Sequence, residues 1–211
     1  MFIETIRYEN GMFHLLDMHQ RRMLDTVTEV YGGGGCKMPL LSEVLAGPDV
    51  ARLLPALNAG VCKCRVTYDT EIRKVELEPY SPRIVKSLRV VTPDSCPDYR
   101  FKYADRFALD ALSGLRRGCD EIIIVRDGLV TDTSYSNLLF RAGDRLLTPR
   151  TPLLGGVMRR HLIESGVAVC CDITAEDILP GNRHGITEVY LINAMLPPGT
   201  VPPIRLSDVI C

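Results

Sequence analysis

Little in the bulk composition of this 211-residue chain is lopsided. Its 25 lysines and arginines stand against 26 acidic residues, a formal net charge of −1. No excess of either sign therefore points to a nucleic-acid or anionic-membrane partner. No apolar run approaches the ~20 residues a spanning helix needs, and the opening MFIETIRYENG lacks the basic-then-apolar order of a secretory leader. Neither GxSxG nor HExxH occurs, which removes the hydrolase readings tied to those motifs. The eight cysteines do not form the pattern of a disulfide framework. Cys170 and Cys171 are adjacent, Cys62 and Cys64 flank one residue in a strand-like run, and neither pair is well placed to bridge. A zinc site on Cys62 and Cys64 lacks the second ligand pair such sites carry. The reading is a reduced, cytoplasmic protein with no metal and no membrane or nucleic-acid partner.

What is present is an ordinary globular composition, 46% hydrophobic and 24% charged. Residues 2–8 alternate as a strand, Glu9-Asn10-Gly11 has hairpin-turn chemistry, and 12–16 reads as the returning strand. From Asp17, which suits an N-cap, the apolar positions follow a period near 3.6 up to the glycines at 32–35. Helical stretches over 41–46 and 50–57 and strands over 61–68 and 71–78 come next. Pro79, Ser81 and Pro82 then break the pattern, which sets a boundary between a small α+β domain, 1–80, and a larger β-rich domain, 81–211. In the latter, strands are expected at 88–92, 121–126, 129–131, 138–141, 145–148, 167–172 and 188–193, with helices at 105–115 and 156–165. The fold class is α+β, a small α/β N-terminal domain followed by a β-barrel-like C-terminal one.

Three segments carry chemistry. The run Gly32-Gly33-Gly34-Gly35-Cys36-Lys37-Met38 evokes a phosphate loop. It has Met38 where that motif needs Ser or Thr, and it follows a helix instead of a strand, so it reads as a plain loop. Lys102 lies in FKYADRF, just before a helix and between aromatics. DGLVTDTSYSNLLF then sets Asp132, several hydroxyls and Asn137 between two apolar strands, and LLTPRTPLLGGVMRR places glycines at a helix start. A helix start of that kind offers free N–H groups and a positive dipole end to a phosphate.

These strings resemble the class IV aminotransferase family. Asp132, Asn137, Thr148-Pro149 and Gly156-Val157-Met158-Arg159 fall in order on its acid, Asn, TP turn and G-I-T-R helix start. FIETIRYENGMFHLLDMHQRRM is similar to its F-E-T-I-R strand and H-x-x-R helix, with His19 and Arg22 on the H and R. EVYLINAMLPPGTVPPI is similar to its closing segment. The resemblance implies a two-domain D-amino-acid-aminotransferase-like fold that binds pyridoxal 5'-phosphate. Lys102 would be the Schiff-base lysine, Asp132 the partner of the ring nitrogen, and Asn137 its signature neighbour. Arg22, the backbone at Val157 and Met158, and Asn193-Ala194 would take the phosphate. A homodimer is implied as well. The departures are Asp for the usual Glu at 132, Met158 for a threonine, Ala194 for Ser or Thr, and Phe107 where many aminotransferases carry a tyrosine. The family's opening strand and its D-R-G-x-x-Y-G-D loop have no counterpart in this sequence.

Both main reactions of the family start from a carboxylate amine. One is amino-group transfer, and the other is elimination of pyruvate from 4-amino-4-deoxychorismate to give 4-aminobenzoate, a step of folate biosynthesis. KYADR, residues 102–106, resembles the lyase's K-x-x-N-R, and INAMLP resembles its C-N-S-L-M run. The lyase is therefore the first expectation and a branched-chain or D-amino-acid aminotransferase the alternative. A non-catalytic cofactor-binding or structural protein is the third. Arg106 and Arg65 are candidates for the substrate carboxylate, with Tyr68 and Thr5 beside them in the pattern.

Overall fold

A computed structural model describes residues 1–32, 38–54 and 60–210. The chain divides into two compact units, Met1–Ser81 with Phe101–Asp105, and Pro82–Arg100 with Arg106–Cys211. A single cut at residue 80 cannot express this arrangement, because a five-residue piece carrying Lys102 returns to the first unit.

In the first unit β1 (Phe2–Glu9) and β2 (Met12–Phe13) lead into α1 (Leu16–Tyr31), α2 (Leu41–Leu45) and α3 (Pro48–Leu53). Then come β3 (Cys62–Tyr68) and β4 (Ile72–Pro79), giving an antiparallel sheet in the order β2-β1-β3-β4. Asn10 and Gly11 both have positive φ, 51° and 81°, as the tight turn between β1 and β2 demands. Even-numbered residues of β1 and β3 face the core: Phe2, Ile6, Cys64, Val66 and Tyr68 pack with Met23 and Val27 of α1 and Leu41 of α2. Because β2 pairs only with Tyr8 and Glu9, the first half of β1 has an edge to offer, and residues 101–104 take it. Ile3 N–H donates to the Lys102 carbonyl (2.9 Å) and Ala104 N–H to that of Met1 (3.0 Å). The rings of Phe101 and Tyr103 lie 6.0 and 5.2 Å from that of Phe2.

Two local expectations are corrected here. Asp17 is not the N-cap of α1, since Leu15 stands before the helix in the left-handed region (φ 54°) and no side chain caps it. The amides of Met18 and His19 bond to the Leu15 carbonyl, so Asp17 sits inside the first turn, where its charge suits the helix dipole. The same left-handed residue cuts the expected strand 12–16 to two residues. The glycine run beyond Gly32, apart from Met38, and the end of the second helical stretch, 55–57, lie outside the described residues.

The second unit contains β5 (Leu88–Val91), α4 (Phe107–Ser113), β6 (Glu121–Arg126), β7 (Leu129–Val130), β8 (Asn137–Ala142) and β9 (Arg145–Pro149). It continues with α5 (Val157–Glu164), β10 (Val169–Cys171), β11 (Ile186–Ile192), β12 (Ile204–Arg205) and β13 (Val209–Ile210). The strands form two sheets, β10-β9-β8-β11-β12 and β13-β5-β6-β7, joined by the bridges Leu129–Thr174 and Asp132–Asn137. One core fills the space between them, with Leu88, Ile123 and Val125 from one sheet and Leu138, Phe140, Leu147, Val189 and Leu191 from the other. Each such side chain stabilises the fold by ~1.5–3 kcal/mol on burial.

All six described cysteines are free. Cys62 and Cys64 are both buried, and burial pushes the Cys64 thiol up to about 12, which makes it an inert packing group. Among the described residues no group of three or more His, Cys, Asp or Glu is placed to hold a metal, and no helix is long and apolar enough to cross a membrane.

Candidate active site

In the second unit the site is built around Asp132, which lies between β7 and β8 and is 4% exposed. Its Oδ1 accepts from Asn137 Nδ2 (2.7 Å) and its Oδ2 from the Leu154 N–H (2.9 Å). Burial raises the carboxyl to about 6, although the Leu154 amide and the Asn137 side chain pull it down. Asn137, the first residue of β8, also donates to the Leu154 carbonyl (2.8 Å). One amide thus fixes both the acid and the loop that leads into α5.

That loop ends at Gly156, the N-cap of α5, with no side chain capping the helix. The Arg160 N–H donates to the Gly156 carbonyl (2.9 Å), so the amides of Val157 and Met158 precede the first helical bond and point out of the helix start. A Cβ on Gly156 would meet Asn137 Oδ1 at 1.8 Å, so only glycine fits there. The Thr-Pro turn is tied to the same helix. Thr148 Oγ1 donates to the Leu138 carbonyl (2.8 Å) and Arg159 Nη2 to the Pro149 carbonyl (2.7 Å).

Residues 133–136 form a tight loop in which Thr133 Oγ1 accepts from the Ser136 N–H (2.9 Å). Two other predicted residues converge on it. Arg106 Nη2 donates to the Ser134 carbonyl (2.9 Å), and Asn193 Nδ2 donates to Ser136 Oγ (2.9 Å). Asn193 Oδ1 in turn accepts from the Met195 N–H (2.8 Å), which shapes the turn that carries Ala194. Asp132, Asn137, the start of α5, Asn193-Ala194 and Arg106 are therefore one constellation.

The first unit holds a second constellation, and one of its members, Glu4, went unnoticed in the sequence. Glu4 of β1 is 0% exposed and faces α1. Arg22 reaches it with two N–H groups, Nε to Oε1 (2.9 Å) and Nη2 to Oε2 (2.6 Å), and His19 Nδ1 lies 2.5 Å from Oε2. Burial alone would raise the Glu4 carboxyl, but the Arg22 charge and the His19 hydrogen bond outweigh it and hold it at about 2. The signal that could have found it is an acid on the core face of a strand, matched by His and Arg three apart on one helix face.

Lys102 belongs to this unit as well, on the returned segment beside β1, and its charge is felt at His19. Thr5 and Arg65 are register partners on β1 and β3, on the face away from the core, with Arg65 exposed. Tyr68 is a correction, because it is fully buried against Phe2, with ring centroids 5.8 Å apart, and is a packing residue.

A model of the class IV amino-transferase family matches residues 1–202, and the chain belongs to that family of pyridoxal-phosphate-dependent enzymes. It is 33% identical over 192 residues to an uncharacterized protein of Haemophilus influenzae, covering 91% of this chain and 96% of the relative. Among solved structures it is similar to a protein of Haemophilus somnus provisionally designated a 4-amino-4-deoxychorismate lyase. That match has 30% identity and a TM-score of 0.81 over 93% of this chain and 96% of the other. A protein of Mesorhizobium loti provisionally designated an amino-acid aminotransferase matches at 21% identity and a TM-score of 0.72, over 97% of each chain. The PLP-bound form of a hypothetical aminotransferase of Mycobacterium tuberculosis matches at 19% identity and a TM-score of 0.73, over 99% of this chain and 80% of the other. The last two show the fold alone.

Proposed function

We propose that this chain is a pyridoxal-phosphate-dependent 4-amino-4-deoxychorismate lyase, releasing pyruvate and 4-aminobenzoate. The observation that carries the reading is Asp132, a buried acid lifted to about 6 beside an uncapped, glycine-led helix start. That donor set fits the cofactor. The acid suits a cationic ring nitrogen, which would draw its pKa back down, and the amides of Val157 and Met158 suit a phosphate. The choice of lyase rests on the KYADR segment and on the 30% identical Haemophilus somnus protein.

When bound, the cofactor supplies an electron sink for bond cleavage beside the substrate amine. Asp132 would hold its ring nitrogen, Arg22, α5 and the Asn193-Ala194 turn its phosphate, and Lys102 its carbonyl carbon. Lys102 Nζ would also serve as the base that takes the proton from the substrate α-carbon. Glu4 orients Arg22 by accepting from two of its N–H groups. Arg106, bonded to the Ser134 carbonyl, sets the loop next to Asp132 and stays a candidate for the substrate carboxylate with Arg65. A cytoplasmic homodimer completes the reading.

The test is pyruvate release from 4-amino-4-deoxychorismate by cofactor-loaded protein without any keto acid, beside Lys102→Ala. Turnover by wild type and a loss of about 10²–10⁴-fold in the variant is the expected outcome. Retained turnover in Lys102→Ala would remove the lysine from the chemistry. Amino transfer to a keto acid with no pyruvate would instead make the protein an aminotransferase for branched-chain or D-amino acids.

A further inference from the structure

We infer that His19 is a proton acceptor tied to phosphate binding: when a phosphate dianion reaches Arg22, the bare His19 Nε2, enclosed in the same charge cluster, takes up one proton. The inference rests on the phosphate role proposed for Arg22 and gives a task to a residue which that reading leaves idle.

The geometry fixes the starting state. Glu4 is ionised and 0% exposed, so the hydrogen on the 2.5 Å contact belongs to His19 Nδ1, which donates to Oε2. Burial lowers the pKa of the imidazole from its ordinary value, outweighing the Glu4 hydrogen bond and charge that raise it, and the Arg22 and Lys102 charges act with burial. The ring is therefore neutral, and Nε2 carries a lone pair. That atom is buried with no hydrogen-bond partner among the described residues. A buried acceptor without a donor is a costly state that native structures rarely keep without a reason.

The groups around it leave it as the natural seat for a proton. Glu4 comes from β1, Arg22 from α1, Lys102 from the returned segment and Tyr68 from β3. Glu4 stays ionised, Arg22 is always cationic, and burial holds Tyr68 as a neutral phenol. A phosphate dianion would add two negative charges to a low-dielectric cluster in which the Glu4 carboxylate already offsets one of the two cations, Arg22 and Lys102. Charges so enclosed interact strongly, and a proton on Nε2 offsets one of them. The proton comes from the phosphate monoanion or from solvent, no covalent bond changes, and Nε2 turns from acceptor to donor.

The test is nitrogen NMR of the histidine rings in the full chain, free of pyridoxal phosphate and titrated with inorganic phosphate at mildly alkaline pH. Replacing His14, His161 and His184 by Gln leaves the His19 signals alone and the cluster intact. The expected result is an Nε2 signal that moves from the range of an unprotonated ring nitrogen to that of a protonated one as phosphate saturates. The reading is taken on the ring nitrogen itself, so a proton moving on Lys102 does not mimic it. An Nε2 that stays bare at saturation overturns the inference, and so does the absence of any response to phosphate. Adding pyridoxal phosphate to the same sample separates the two ideas. The visible absorbance of lysine-bound cofactor, with Nε2 still bare, leaves the proposed function standing and removes only the role of His19.

Discussion

Asp132 and Glu4 are both enclosed carboxylates, yet their acidities move in opposite directions for one physical reason, the presence or absence of a cation in contact. Glu4 has the Arg22 guanidinium at 2.6 Å, whereas Asp132 has only amide donors within hydrogen-bond reach. In the cofactor-free protein the two should leave opposite marks on stability. Asp132 binds its proton more tightly folded than unfolded, so stability falls as pH rises from its ordinary 3.8 to about 6, by on the order of 2–3 kcal/mol. Glu4 releases its proton more readily when folded, so its contribution is present above 4.5 and is lost as pH falls towards about 2. Urea midpoints across this range should show both slopes, and Asp132→Asn should remove only the upper one. An unchanged upper slope in that variant would assign it to another group.

At the scale of elements, α5 depends on the absence of a side chain at its N-cap. Gly156→Ala sets a methyl 1.8 Å from Asn137 Oδ1, so Asn137 must leave both Asp132 and the Leu154 carbonyl. The expected cost is about 1–3 kcal/mol in urea unfolding, and cofactor affinity should fall about tenfold or more, ~1.4 kcal/mol, by fluorescence titration. A variant with wild-type affinity would mean that the loop position does not govern the site. The elements themselves were largely legible, because β1, β3, β6 and β8 write their alternation or apolar runs directly into the sequence. The start of α1 was not, since the left-handed turn at Leu15 comes from the local backbone and carries no side-chain signal. β12 and β13, two residues each, are too short for any period to declare. In the site, Asp132, Asn137 and the helix start stood out as an ordered string. Glu4 was hidden because an acid between Ile3 and Thr5 reads as the polar half of a strand, and Tyr68 was misread because its packing against Phe2 is a contact between distant residues.

The whole molecule adds what no single boundary could contain, a first unit completed by five residues from beyond the second unit's first strand. Ile3 and Ala104 make their backbone bonds across this join, and the Phe101 and Tyr103 rings stack around Phe2. A chain ending at Ser81 should therefore show no cooperative unfolding transition and should bind a hydrophobic dye. A sharp transition from that piece would show the returned strand to be dispensable. The join also orders events on the ribosome. At about 5–20 residues per second, translation takes on the order of seconds to carry the nascent chain from Ser81 to Asp105. Through that interval the leading edge of β1 is open to any passing strand. The segment that closes it is the one that brings the lysine.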